Sequence, residues 1–142
     1  MHDSDKNFNN IKIHTQYSIC EGAIKIDNLK DFCKENKILS LGLSDTSNLC
    51  GALEFSENIS KVGTQPLIGT QIYFKFQDTT GLLPLIALNE KGYKRIIELS
   101  SKSYLENDAL SYPHLDIKEL FENTDGVLVL SGTVHGLSLI HI

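Results

Sequence analysis

His14, Tyr17, Ser18 and Glu21 lie close together in "NIKIHTQYSICEGA", residues 10–23, and a carboxylate, Asp45, ends the apolar run "ILSLGLSD". These are residue types from which a metal centre or an acid–base pair is made. A histidine ring nitrogen binds zinc at about 2.0–2.1 Å, and a carboxylate ligates a cation or takes a proton. Each residue also has a structural alternative, which residue type alone favours. His14 can be a hydrogen-bonded strand-end histidine. Asp45 stands in "SDTSN", where Ser44, Thr46, Ser47 and Asn48 are equally able to accept from free amides at a helix start, so a cap is the better expectation. Glu21, before Gly22, reads as a solvated loop carboxylate.

The rest of the chain adds little chemistry by spacing. His2, His114, His135 and His141 show no i, i+4 pairing of the zinc-binding kind, and no glycine-rich phosphate loop occurs. Cys20, Cys33 and Cys50 lack the two-residue gap of a zinc knuckle or redox motif, and read as buried thiols in a reducing cytoplasm.

Several elements must position these residues. Ile11 and Ile13 alternate with Lys12 and His14 as in a short strand. Ile26, Leu29 and Cys33 repeat at helical spacing to about Glu35, with Asp27 in the first turn. Residues 38–45 form a buried strand, and Leu49, Leu53 and Ile59 pattern a helix that Gly63 closes. "PLIGTQIYFKF" and "LLPLIAL" are β-rich and pair as a hairpin around "QDTTG". A helix through Tyr93, Ile96, Ile97 and Leu105, a short one over "DIKELFENT" and a strand over "GVLVLSG" complete the pattern. The expected fold class is α/β on a largely parallel sheet, with chemistry carried at the strand C-terminal ends.

Bulk composition fits that class. At 142 residues, 41% hydrophobic and 22% charged, the chain suits one domain with a core. A net charge of −5 with 13 scattered basic residues argues against nucleic-acid binding by this piece alone. The polar, acidic opening "MHDSDKNFNN" is no secretory signal, and no apolar run reaches the roughly 18–20 residues of a membrane span, so the expected location is cytoplasmic with no membrane partner.

Three stretches together, "NIKIHTQYSICEGAIKIDNL", "LGLSDTSNLCGALEFSENISKVGTQPLIGTQIYF" and "NEKGYKRIIELSSKSYL", resemble in order and spacing the start of bacterial DNA polymerase III alpha subunits. The resemblance rests on the tyrosine-serine pair, the acidic-glycine pair, the "D-x-x-N-L-x-G" of Asp45 to Gly51, the "P-x-I-G" of Pro66 to Gly69, and Gly92-Tyr93. That region of the family is the PHP domain, an irregular (β/α) barrel of parallel strands and outer helices. In metal-binding members its cleft holds metals through histidines and carboxylates that activate water.

The same resemblance identifies departures. Where metal-binding members carry "H-x-H", this chain has Lys12 and His14, and Asn10 stands at a further histidine position. "T-D-H-G-N" is "SDTSN", so Asp45 stays and Thr46 replaces a histidine; Gln71 replaces a glutamate, and Leu82 best matches another histidine. A cationic Lys12 beside a dication would cost several kcal/mol. The cleft positions Lys12, His14, Glu21, Asp45, Thr46 and Gln71 are therefore expected to be vestigial, with no catalytic, cofactor or metal role. The surviving polar residues are expected to hold the cleft together by ion pairs and hydrogen bonds, for instance Lys12 with Asp45 or Glu21.

By the same resemblance the chain is expected to be the first half of the barrel. Residues 1–9 would be a polar N-terminal segment, 10–136 the partial PHP domain and 137–142 a truncated or non-native tail. Polymerase chemistry would lie in a missing downstream part using Mg2+. Its partners would be DNA, deoxynucleotides and other replicase subunits, among them a proofreading exonuclease. The alternative expectation is a stand-alone PHP metal-dependent phosphoesterase.

Overall fold

The computed structural model describes residues 9–131. His2, His135, His141 and the tail at 137–142 lie outside the described residues.

Helix α1, Ile26–Asn36, forms where Ile26, Leu29 and Cys33 line one face, and it ends at Lys37, whose left-handed backbone (φ 52°) lets its amide donate to the Cys33 carbonyl. Strand β1, Ser40–Thr46, is buried through its middle. Helix α2, Ala52–Ser60, turns Ala52, Phe55 and Ile59 inward. Strands β2, Gln65–Phe76, and β3, Thr79–Ala87, precede helix α3, Glu90–Leu105. Strand β4, His114–Asp116, helix α4, Ile117–Glu122, and strand β5, Val127–Val129, follow.

The sheet is mixed and built around β2. Its first half pairs in parallel with β1, from Ser40 opposite Gln65 to Thr46 opposite Gln71. Its second half takes β4, also parallel, on Tyr73–Lys75. The other edge of β2 pairs antiparallel with β3, and β3 pairs antiparallel with β5. The expected hairpin is thus present, and it is what makes the sheet mixed. Gln77 and Asp78 alone join β2 to β3, Gln77 at φ 54°, a connection too short for the crossover a parallel neighbour needs. The Ile11–Ile13 segment contributes a parallel bridge, Ile13 to Leu43, instead of a full strand.

Two buried clusters fill the helix-covered face. One joins Ile13, Leu41 and Leu43 to α1 and α2 through Ile26, Phe55 and Ile59; the other joins β2 and β3 to α3 and α4 through Phe74, Leu85, Ile96 and Leu120. Burying a side chain the size of Phe55 contributes about 1.5–3 kcal/mol.

Three expectations of burial change. Leu53 is 72% exposed because α2 packs along the Ala52–Phe55–Ile59 stripe. Ile97 and Leu105 point outward from α3, whose inner face is Gly92, Ile96, Leu99 and Ser103, with the Arg95 stem. Cys20 and Cys50 are exposed in loops, and only Cys33 is buried, which pushes its thiol pKa up.

Candidate functional site

The pleat of β1 sends its chemistry-bearing residues to opposite faces. Asp45 continues the row of Leu41 and Leu43 toward the helices, whereas Ser44 and Thr46 lie on the other face. Beside β1, Thr15 continues the row of Ile13, and Lys12 and His14 alternate with them. Asp45 and His14 are therefore not brought together.

Asp45 is fully buried and its carboxylate accepts from three neutral donors. One oxygen accepts from the Thr15 amide at 2.6 Å and the Ser18 hydroxyl at 2.8 Å, and the other from the Thr15 hydroxyl at 2.7 Å. Ser18 Oγ also accepts from the Thr46 amide at 3.0 Å. Contrary to the cap expectation, α2 is preceded by Gly51 with no side-chain cap, and Asn48 Oδ1 takes the Cys50 amide. Asp45 lies ahead of that turn, whereas Thr15 stands directly alongside it, so the carboxylate binds across strands. The ion pair expected of Lys12 is absent too: among the described residues, every ion pair involves α3. The Lys12 amide instead donates to Asn10 Oδ1 at 3.1 Å.

The loop over residues 15–22 is tied down at each end. A methyl at Gly22 would sit 1.9 Å from the Thr15 carbonyl oxygen, so the loop closes only over glycine. Tyr17 donates its hydroxyl to Glu54 of α2 at 2.6 Å, and that carboxylate raises the Tyr17 pKa. Asn48 Nδ2 donates to the carbonyls of Tyr17 and Thr46, both at 2.9 Å. At Gly51 a methyl would meet the Tyr17 ring at 2.7 Å, so this glycine admits the tyrosine.

On the other face, Glu21, Thr46 and Gln71 form a chain. Thr46 Oγ1 donates to Glu21, and Gln71 Nε2 donates to Thr46 Oγ1 at 2.7 Å. Tyr73, two residues beyond Gln71, has its pKa raised by burial first and by Glu21 second, and its ring centroid is 6.1 Å from that of Tyr112. Leu82 is the cross-strand neighbour of Tyr73. A cavity of about 620 Å³ lies away from these groups, against Pro66, Leu67 and Ile68 at the start of β2, and is mostly apolar.

Of the residues singled out in the sequence, Glu21, Thr46 and Gln71 are in contact, His14 and Lys12 share their face, and Asp45 is turned away. Thr15 was missed as the partner of Asp45; its place two residues after Ile13 was the available signal. Among the described residues, no three His, Cys, Asp or Glu side chains are placed to hold a metal together.

The PHP domain pattern matches residues 10–139. The DNA polymerase III subunit alpha of Caulobacter vibrioides is 34% identical, with 91% of this chain and 12% of the relative covered. That of Haemophilus influenzae is 32% identical, covering 94% and 12%. The chain thus spans about 12% of the length of the curated relatives it matches. Among solved structures, a Bifidobacterium adolescentis protein described as a metal-dependent phosphoesterase superposes with a TM-score of 0.54 at 18% identity, over 67% of this chain and 32% of that one. An amidohydrolase from Chromobacterium violaceum gives 0.51 at 14% identity, over 66% and 34%. At these identities the structural likeness concerns the fold alone.

Proposed function

The chain belongs to the PHP-domain family, and from that premise we propose that it is part of a replicative DNA polymerase of the DNA polymerase III alpha type, serving there as a scaffold. The whole protein would add deoxynucleotides to a primer with Mg2+ held in its polymerase regions, in the cytoplasm. It would work with DNA and with other replicase subunits, a proofreading exonuclease among them. Among the described residues, no helix is long and apolar enough to cross a membrane.

The observation that carries the scaffold role is the state of Asp45. A carboxylate that accepts three hydrogen bonds from Thr15 and Ser18, fully buried, is occupied as a structural acceptor. The donors left on the opposite face also fit a metal centre poorly. Thr46 spends its proton on Glu21, Gln71 presents a neutral amide, and Lys12 brings a positive charge to the same face. Such a set does not suit the activation of a water for hydrolysis. The side chains instead cross-link the 15–22 loop, β1 and β2.

Reading the gene beyond this segment tests the proposal. Polymerase regions following in the same frame are expected; a stop or an unrelated domain would end it. A phosphoesterase assay on the whole protein addresses the stand-alone enzyme, which requires hydrolysis that this face does not support.

A further inference from the structure

Three of the buried side-chain atoms that have no hydrogen-bond partner among the described residues lie on one face of the sheet: His14 Nδ1, Ser44 Oγ and Gln71 Oε1. Ser44 is fully buried and Gln71 is 3% exposed. The parallel bridge of Ile13 with Leu43 sets His14 beside Ser44, and the pairing of Thr46 with Gln71 sets Gln71 one row further along on the next strand. A buried polar group with nothing to bind is costly, so three of them on one face of neighbouring strands point to a place for a polar guest.

The neighbouring hydrogen bonds narrow what that guest can be. Thr46 gives its one proton to Glu21 and so must accept from Gln71. The Gln71 amide nitrogen therefore faces Thr46, which leaves Gln71 Oε1 as an acceptor needing a donor. Ser44 Oγ offers a proton and lone pairs, and His14 Nδ1 donates or accepts according to its tautomer. A phosphate or carboxylate would satisfy Ser44 but would set its own oxygen against Gln71 Oε1. A hydroxyl group suits all three: it donates to Gln71 and accepts from Ser44 and from a protonated Nδ1.

We propose that His14 Nδ1, Ser44 Oγ and Gln71 Oε1 form a binding site for one neutral hydroxyl group, supplied by a trapped water or by a polyol. The site rests on the metal-free reading of this face. It adds to that reading a ligand class and a role for His14 that does not need a cation.

The test is a crystal structure of the whole protein at a resolution that shows ordered water. It is determined once without polyol and once after a glycerol soak, with anomalous data recorded for bound metals. A single oxygen peak within hydrogen-bond distance of all three atoms is expected, isolated if water and continuous with a carbon chain if glycerol has replaced it. The peak should be lost in Gln71→Met and in Ser44→Ala while the fold persists; persistence of the peak in both variants would overturn the site. An empty site, or the three atoms bonded to one another, would overturn the hydroxyl proposal and leave the metal-free reading standing. An anomalous metal peak there would overturn both.

Discussion

Gln71 donates its side-chain amide to Thr46 Oγ1 at 2.7 Å, joining two of the positions at which metal-binding PHP members are expected to carry a charged or imidazole ligand. In this chain the two residues bind each other, and Thr46 passes the connection on to Glu21. A neutral hydrogen-bond chain thus links the 15–22 loop to β1 and β2.

Gln71→Glu breaks that chain at its donor. Thr46 loses the proton it accepts, and a second carboxylate comes to face Glu21 across it. We expect a loss of about 1–3 kcal/mol, seen as a lower urea midpoint in metal-free buffer. Gln71→Met removes the amide without adding charge and should lose less. A Gln71→Glu variant as stable as the parent would refute the role given to the amide.

Asp45 should be intolerant of replacement by an amide. In Asp45→Asn the new amide would meet the hydroxyl or the amide of Thr15, both of which donate now, at a cost of about 1–3 kcal/mol. Thr15→Val removes only the hydroxyl contact and should cost about 1 kcal/mol. A double-mutant cycle should give coupling above about 0.5 kcal/mol; additive effects would mean that the two side chains do not act together.

Alkaline pH should release the 15–22 loop from α2. Hydrogen bonding to Glu54 raises the Tyr17 pKa above its usual 10.0, so the folded state holds that proton more tightly than the unfolded state does. The contribution is complete below the unfolded value and is lost as pH rises through the folded one. Subtracting the phenolate titration of Tyr17→Phe from that of the parent isolates this group. A difference midpoint above 10.0 is expected, and one at or below it would contradict the Tyr17–Glu54 bond.

Truncation along α2 distinguishes its two faces. Phe55 is fully buried, and Phe55→Ala should lose about 3–5 kcal/mol. Leu53 is 72% exposed, and Leu53→Ala should stay within about 0.5 kcal/mol. Equal losses would mean that the helix is rotated from its described position.

Most of this architecture was legible in the residues. The stripe of α1, the buried β1 and the β2–β3 hairpin are local patterns, and local pattern decided them. The face of α2 was less legible, because Leu49, Leu53 and Ile59 fit a helical stripe about as well as Ala52, Phe55 and Ile59; packing against α1 and β1 chose the second. The site divided in the same way. Family resemblance marked Glu21, Thr46 and Gln71, which do meet. Asp45 was read as a cap or a cleft residue because its partner Thr15 is thirty positions away, and only the pairing of Ile13 with Leu43 brings the two together. A Lys12–Asp45 pair failed for a related reason, since the two lie on opposite sides of the pleat, and Glu21, on the Lys12 side, binds Thr46.

Metal content tests the scaffold role most directly. The whole protein, equilibrated with zinc, manganese or magnesium and then freed of unbound ion, should retain no stoichiometric metal attributable to this face. His14→Ala and Gln71→Ala should leave its metal content unchanged. Retention of one or more equivalents in the parent, lost in those two variants, would contradict the scaffold role and restore the face as a metal centre.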